Sequence, residues 1–245
     1  MPSATDRLRD IDVLYQEDDL IAVAKPAGLP VHGGAQERRT LIEIMRQALG
    51  RPVDLVHRID AATSGVVLLS SSKPCLRALQ KGWGEVDKRY LCLCAGRWSG
   101  PAMLQTSLSD PQRGALSAHT EVEPVAVLDG IEPPTTLLFV RLHTGRKHQI
   151  RRHLSQAGHP VLLDDKYGDF ALTKAWRRAT REAGAPPPRK GLMLHAARVT
   201  FPHPTRGDPV TVAAPLPRRW EAIIRAGAGQ HGEATIGRVQ TLLAT

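Results

Sequence analysis

The chain has 245 residues with ordinary hydrophobic (42%) and charged (23%) content, which is typical of a globular protein with a sizeable core. Its longest apolar stretch is only a handful of residues and its N-terminus contains acids, which argues against a membrane span and a signal peptide. The formal net charge is +9, and residues 141–219 carry 16 Lys and Arg against 5 Asp and Glu. This one-sided charge favours a polyanionic partner. Three cysteines without a CxxC pair favour a reducing cytoplasm, where we expect the protein to be.

Apolar and β-branched runs bounded by turn residues predict many strands, and capped periodic segments predict fewer helices. In chain order, strands are predicted at 13–15, 20–24, 66–69, 89–94, 119–128, 136–142, 192–201 and 210–213. Helices are predicted at 40–49, 73–83, 149–154, 173–183 and 217–226. We therefore predict an α+β fold with a mixed, mostly antiparallel central sheet and flanking helices and loops. One domain is expected over 11–226, between a flexible N-terminus (1–10) and a mobile C-terminal tail (227–245).

The stretch 55–69 places polar residues between two apolar segments. Its second segment is predicted to be a buried strand that follows a Ser-Gly turn. Loops held by such strands often carry catalytic side chains. Asp60 is the one carboxylate between the two apolar segments, where an acid is costly unless it is paired. A loop Asp more commonly caps a turn, so the functional interpretation of Asp60 depends on the rest of the chain.

The densest basic cluster is 143–153, HTGRKHQIRRH. We predict no metal site there, because His148 and His153 are five residues apart and cations surround His148. A serine nucleophile is also disfavoured, since Thr63-Ser64-Gly65 lacks the G-x-S-x-G frame. Taken alone, an arginine of this cluster would be a phosphate contact.

Five motifs, in order along the chain, resemble those of the RluA-type RNA pseudouridine synthases. Residues 57–65, HRIDAATSG, resemble the HRLDxxTSG signature of that family, with Ile59 in place of the usual Leu. The other four motifs are 25–28 (KPAG, resembling KPxG), 88–90 (KRY, resembling K-x-Y), 144–160 (resembling TGRxHQIRxH…GHP), and 194–196 with 203–204 (resembling LHA…HP). The resemblance covers about residues 11–226 and makes this region a catalytic domain.

The resemblance implies that the chain isomerises uridine in RNA to pseudouridine, without a cofactor. It implies that Asp60 is the catalytic aspartate, as nucleophile or as base, and that Arg151 pairs with it and keeps it ionised. Tyr90 would stack on the uracil near C5, where a proton must leave. Arg58 would fill the gap left by the flipped nucleotide, and Ile150 would pack against the base. The remaining residues implied to bind RNA are His57, Lys88, Arg146, Lys147, His148 and Arg152.

The implied partner is ribosomal or transfer RNA, bound by a monomer. Residues 31–34 and 164–169 resemble the synthase C type that acts on the ribosomal large subunit, which we favour slightly. Residues 146–154 and 192–196 also resemble the tRNA-modifying synthase C type. The appended S4 RNA-binding domain common in the family is not expected, because residue 11 already begins the catalytic domain. Two other functions stay open: a non-catalytic RNA-binding or chaperone module on the same scaffold, and an Asp-dependent hydrolase of nucleosides or nucleotides.

Overall fold

The computed structural model describes residues 11–17, 19–33 and 39–245. The predicted flexible N-terminus, residues 1–10, lies outside these ranges. The described chain divides into two compact units. Unit 1 contains the described residues up to Asp87 together with Ala196–Ala214, and unit 2 contains Lys88–His195 and Pro215–Thr245. The single domain over 11–226 stays a prediction. Local sequence patterns do not show that the chain leaves unit 1 at Asp87 and returns to it more than a hundred residues later.

Each predicted strand and helix lies close to an observed one. The structure adds four short strands, at Asp54–Leu55, Ala102–Leu104, Leu108–Asp110 and Gly114–Leu116, and a helix at Gly232–Ala244. The strands are β1 (Asp12–Glu17), β2 (Leu20–Lys25), β3 (Asp54–Leu55), β4 (Ser64–Ser70), β5 (Asp87–Ala95), β6 (Ala102–Leu104), β7 (Leu108–Asp110), β8 (Gly114–Leu116), β9 (Thr120–Leu128), β10 (Thr135–Leu142), β11 (Leu194–Pro202) and β12 (Pro209–Ala213). The helices are α1 (Leu41–Leu49), α2 (Lys73–Lys81), α3 (Gln149–Gln156), α4 (Phe170–Glu182), α5 (Arg218–Ala228) and α6 (Gly232–Ala244), with a 3₁₀ turn at Gly229–His231.

Unit 1 is built on strands in the order β1-β2-β4-β11, with β3 paired to β4 and β12 paired to β11. Strands β2 and β4 form an antiparallel pair whose apolar residues are almost all fully buried, as a continuous apolar run requires. Helix α1 begins with a capping box formed by Thr40 and Glu43. The Oγ1 atom of Thr40 accepts from the backbone N–H of Glu43 (3.4 Å), and the carboxylate of Glu43 accepts from the backbone N–H of Thr40 (3.0 Å).

Unit 2 is built on strands in the order β5-β10-β9-β6, and each neighbouring pair is antiparallel. Strands β7 and β8 form a separate hairpin. Antiparallel strands with a few flanking helices in both units confirm the predicted α+β class. None of the helices in the described ranges has the length and apolar character that crossing a membrane requires.

The prediction of a mobile tail after Gly227 is corrected by α6. This helix packs against α5 and β9. Its buried side chains are those of Thr235, Ile236, Val239 and Leu243. The guanidinium of Arg238 donates to the backbone oxygen of Val125 (2.9 Å) and to the carboxylate of Glu123 (3.1 Å). The Gly and Ala content of this segment favours mobility, but its apolar residues recur at helical spacing and are buried by packing.

Candidate active site

In unit 1, Asp60 lies half-buried in the loop that leads into β4. Backbone hydrogen bonds hold both ends of this loop. The N–H of Thr63 donates to the carbonyl oxygen of Asp60 (3.0 Å), and the N–H of Val56 donates to that of Leu68 (3.0 Å). Because β4 is paired to β2 and buried, Asp60 is carried by a loop fixed to a rigid strand, as predicted.

Lys25, at the end of β2, ties two loops of unit 1 together. Its side chain is almost fully buried, and its Nζ donates to the carbonyl oxygens of Pro26 (3.0 Å), Leu29 (2.8 Å) and Ala61 (2.9 Å). Burial lowers the pKa of Lys25 to about 7, and the negative charge of Asp60 opposes this shift. The ammonium therefore fixes the backbone directly after Asp60 and adds a positive charge to its surroundings.

His57 and Arg58, which precede the aspartate and were predicted to contact RNA, lie in different environments. The ring of His57 stacks on Trp83, with ring centroids 4.3 Å apart and planes at 18°. Its Nε2 accepts the backbone N–H of Leu68 at 3.1 Å, so the ring supports the loop. Arg58 is exposed. The RNA contacts of both side chains stay predictions.

In unit 2, Lys88 and Tyr90 lie on one face of β5, since side chains two apart in a strand point the same way. Lys88 lies opposite Leu142, and Tyr90 opposite Val140, in the antiparallel pair of β5 with β10. Lys88 is largely buried and Tyr90 is half-buried. Their contacts with the substrate also stay predictions.

Arg151 in α3 is held by a carboxylate that the sequence did not single out. Its Nε donates to Oδ2 of Asp164 (2.7 Å) and its Nη2 donates to Oδ1 (2.8 Å), in a buried bidentate pair. Oδ1 also accepts the backbone N–H groups of Lys166 and Tyr167, each at 3.0 Å. Burial raises the pKa of Asp164, but the hydrogen bonds from Arg151 and the two amides lower it by more, so the carboxyl stays ionised.

Tyr167 supports the same arginine from one side. Its ring centroid lies 5.1 Å from Cζ of Arg151, within the range of a cation–π attraction. Its hydroxyl is 3.0 Å from Nδ1 of His148. His148 has φ 55°, a left-handed conformation that non-glycine residues seldom adopt, and it directly precedes α3. The predicted site residues His148 and Arg151 are thus brought together through Tyr167.

The loop before α3 is held by the buried amide of Gln149. Its Nε2 donates to the carbonyl oxygen of His119 (3.0 Å) and to Oγ1 of Thr120 (2.8 Å). Its Oε1 accepts from Oγ1 of Thr144 (2.7 Å) and from the backbone N–H of Arg146 (3.0 Å). All the hydrogen-bonding positions of the amide are used, so the loop before α3 is fixed against β9.

The other residues predicted to bind RNA occupy varied positions in unit 2. The guanidinium of Arg152 donates to the backbone oxygen and to the hydroxyl of Ser109, each at 3.0 Å, and so anchors the β7–β8 hairpin. Nε of Arg146 donates to a backbone oxygen at 3.0 Å. Lys147 is exposed, whereas Ile150 is buried. Their contacts with RNA stay predictions.

Each unit thus holds part of the predicted site: unit 1 places Asp60 beside Lys25, and unit 2 pairs Arg151 with Asp164. The ion pair of Arg151 with Asp60 that the resemblance implies stays a prediction. Asp164 directly follows the apolar run 161–163, and an acid beside an apolar run is the signal that singled out Asp60. In the part of the chain that the structure describes, no group of three or more His, Cys, Asp and Glu side chains is placed to bind a metal ion.

Comparison with known proteins identifies several similar chains. Residues 19–156 match the family model described as RNA pseudouridylate synthase. A Haemophilus ducreyi protein named ribosomal large subunit pseudouridine synthase C is 34% identical over 225 residues, which cover 86% of this chain and 68% of that protein. A Pasteurella multocida protein named tRNA pseudouridine synthase C is 34% identical over 237 residues, covering 87% and 95%. The solved structure of human RNA pseudouridylate synthase domain containing 4 has a TM-score of 0.71 at 25% identity, covering 92% and 95%.

Proposed function

Since the chain belongs to the RNA pseudouridylate synthase family and is an RNA pseudouridine synthase, we propose that its substrate is one specific uridine in structured ribosomal RNA of the large subunit. The observation that carries the activity is the motif at 57–65, with Asp60 on a loop fixed to β4. The name of the Haemophilus ducreyi relative supports ribosomal RNA. Transfer RNA is the second candidate, because the match to the Pasteurella multocida relative covers 95% of that protein.

The reaction needs no group from outside the chain and the RNA. The bond between N1 of uracil and C1′ of ribose breaks, the base rotates, and a bond forms between C5 and C1′. The proton on C5 leaves and N1 regains a proton, so the atoms balance without an oxidant or reductant. A carboxylate at the sugar and a group that receives the C5 proton are therefore the chemical requirements.

We assign these requirements to residues that the protein holds in fixed positions. Asp60 acts at the sugar as nucleophile or base, on a loop that Lys25 fixes through Ala61. The resemblance implies that Arg151 pairs with Asp60, and Asp164 orients the guanidinium of Arg151 for that role. Tyr90 stacks on the uracil near C5, where the proton leaves. A module that only bound RNA would gain nothing from an ionised acid that faces phosphate, which favours catalysis over binding alone.

The test is to map pseudouridine after incubating the purified protein with total RNA from a host strain that lacks the gene. Carbodiimide treatment followed by primer extension gives a stop at each pseudouridine. We expect new stops at one or a few uridines of large-subunit ribosomal RNA. Asp60→Asn should abolish them, and Asp19→Asn, a matched change at an exposed acid of unit 1, should leave them.

The other outcomes separate the alternatives. New stops in transfer RNA alone would show that transfer RNA, the second candidate, is the substrate. RNA binding without new stops would favour the non-catalytic module. Release of free uracil would indicate the hydrolase.

A further inference from the structure

Helix α4 and the residues after it form a strongly basic surface of unit 2 that the roles proposed above do not use. Residues 170–190 contain six Lys and Arg and one acid. The cations are Lys174, Arg177, Arg178, Arg181, Arg189 and Lys190. The one acid, Glu182, is paired with Arg178 at 2.7 Å. The opposite side of α4 is anchored in the core by Trp176 and Thr180, both 0% exposed, so the charge lies on the outer side.

The cations are arranged along the helix rather than scattered. Lys174, Arg178 and Arg181 are exposed and follow one another at i, i+4 and i+7, the spacing of a single helix face. At 1.5 Å per residue, this row extends for roughly 10 Å along the axis. An extended row of cations matches a row of phosphates better than a single anion.

An apolar surface lies beside this row. Phe170, at the start of α4, is 85% exposed, and the small residues Ala171, Ala175 and Ala179 follow it along the helix. They line an open concavity of about 920 Å³ together with the cations. Phe170 and the three alanines together place an apolar patch directly beside the row of cations.

Two further acids, Glu132 and Asp165, also line this concavity. Their negative charges repel phosphates from the concavity. An uncharged nucleobase is therefore favoured there, packed against Phe170 and the alanines. Phosphates are then favoured at the outer row of cations. Aromatic side chains beside a basic row are the usual means of binding single-stranded nucleic acid, with bases stacked and the backbone neutralised.

We propose that α4 is a second RNA-binding surface, which holds an unpaired strand of the substrate RNA with its phosphates on Lys174, Arg178 and Arg181 and a base on Phe170. The proposal rests on the proposed function, because it takes RNA as the substrate. The surface directly follows the site residues of unit 2 along the chain. The segment that holds Arg151 ends at Tyr167, and Asp169 then caps α4 by accepting the N–H of Leu172 (2.9 Å).

The experiment measures binding of an in vitro transcript of large-subunit ribosomal RNA by filter retention across a series of salt concentrations. Lys174→Gln/Arg181→Gln should weaken binding at least about tenfold at low salt and reduce the salt slope by about two. Phe170→Ala should weaken binding about fivefold or more with an unchanged slope, since stacking carries no charge. The control is Arg77→Gln/Lys81→Gln, which removes two exposed cations from α2 of unit 1 and should change binding little.

Two results would overturn the proposal. Equal weakening by the α4 and α2 double variants would assign the effect to net charge, and unchanged binding by the α4 variants would point to a protein partner for this surface. All three variants change exposed side chains, so their melting temperatures should match that of the wild type. Failure of the proposed function is separate: it would appear as wild-type protein that forms no pseudouridine, whatever the α4 variants do to binding.

Discussion

The guanidinium of Arg151 is oriented by the carboxylate of Asp164 through two parallel hydrogen bonds of 2.7 and 2.8 Å. The pair uses Nε and Nη2 of the arginine and both oxygens of the acid. Two further backbone amides hold the acid itself, so the plane of the guanidinium is set by a segment outside α3. Asp164 is therefore a positioning residue, which acts through Arg151.

We expect Asp164→Asn to lower kcat by about 100-fold with a smaller change in KM, because the role proposed for Arg151 in the reaction depends on the orientation of its guanidinium. Asp164→Ala should also lower the free energy of unfolding by about 3 kcal/mol, since it leaves a buried arginine charge without its partner. Single-turnover kinetics and urea unfolding measure the two effects. Asp129→Asn, at an exposed acid of unit 2 outside both proposed sites, is the control and should change neither. A destabilised Asp164→Asn variant with normal kcat would contradict the positioning role.

The buried Lys25 predicts a pH-dependent stability. Burial lowers the pKa of Lys25 to about 7 in the folded protein, whereas an unfolded lysine titrates near 10.4. Between these values the unfolded chain binds more protons, so the free energy of unfolding should rise with pH, by about 1 kcal/mol per pH unit. Urea unfolding at pH 7 and pH 8.5 measures the rise. Lys25→Met lacks the titrating group, so an equal rise in this variant would contradict the assignment.

Gly65, at the start of β4, predicts a steric requirement for glycine. Its φ is +113°, and a Cβ atom there would lie 2.1 Å from the carbonyl oxygen of Ala196. Gly65→Ala should therefore lower the free energy of unfolding by about 3 kcal/mol or more. Gly50→Ala is the matched control, with φ +63° but nothing within 4 Å of the added Cβ, and should cost about 1 kcal/mol. Similar losses in the two variants would show that the contact with Ala196 is not decisive.

Helix α6 predicts that the C-terminal segment contributes to stability. Ile236 is 4% exposed, so Ile236→Ala should lower the free energy of unfolding by about 2–4 kcal/mol. Gln240→Ala changes an exposed position of the same helix and should stay within about 0.5 kcal/mol of the wild type. Urea unfolding of unit 2, followed by a probe such as Trp220 fluorescence, measures both. A neutral Ile236→Ala would support the mobile tail that composition suggests.

Local sequence signals predict the elements well and their long-range relations poorly. The capping box of Thr40 and the turn into β4 involve residues close together in the chain, so their chemistry is visible in the sequence. The packing of α6 on β9 joins segments about a hundred residues apart and depends on tertiary burial. The same reason explains why Asp164 escaped prediction, since its role appears only when Arg151 is seen beside it.

The side-chain amide of Gln149 holds the loop before α3 through hydrogen bonds that do not depend on pH. It donates to two oxygens and accepts from two donors, and an amide has no proton to gain or lose over the physiological range. A carboxylate or an imidazole in its place would exchange donors for acceptors as the pH changed. The loop that leads to Arg151 is therefore held at Gln149 by hydrogen bonds that do not titrate, whereas the loop of Asp60 is held by Lys25, whose pKa is about 7.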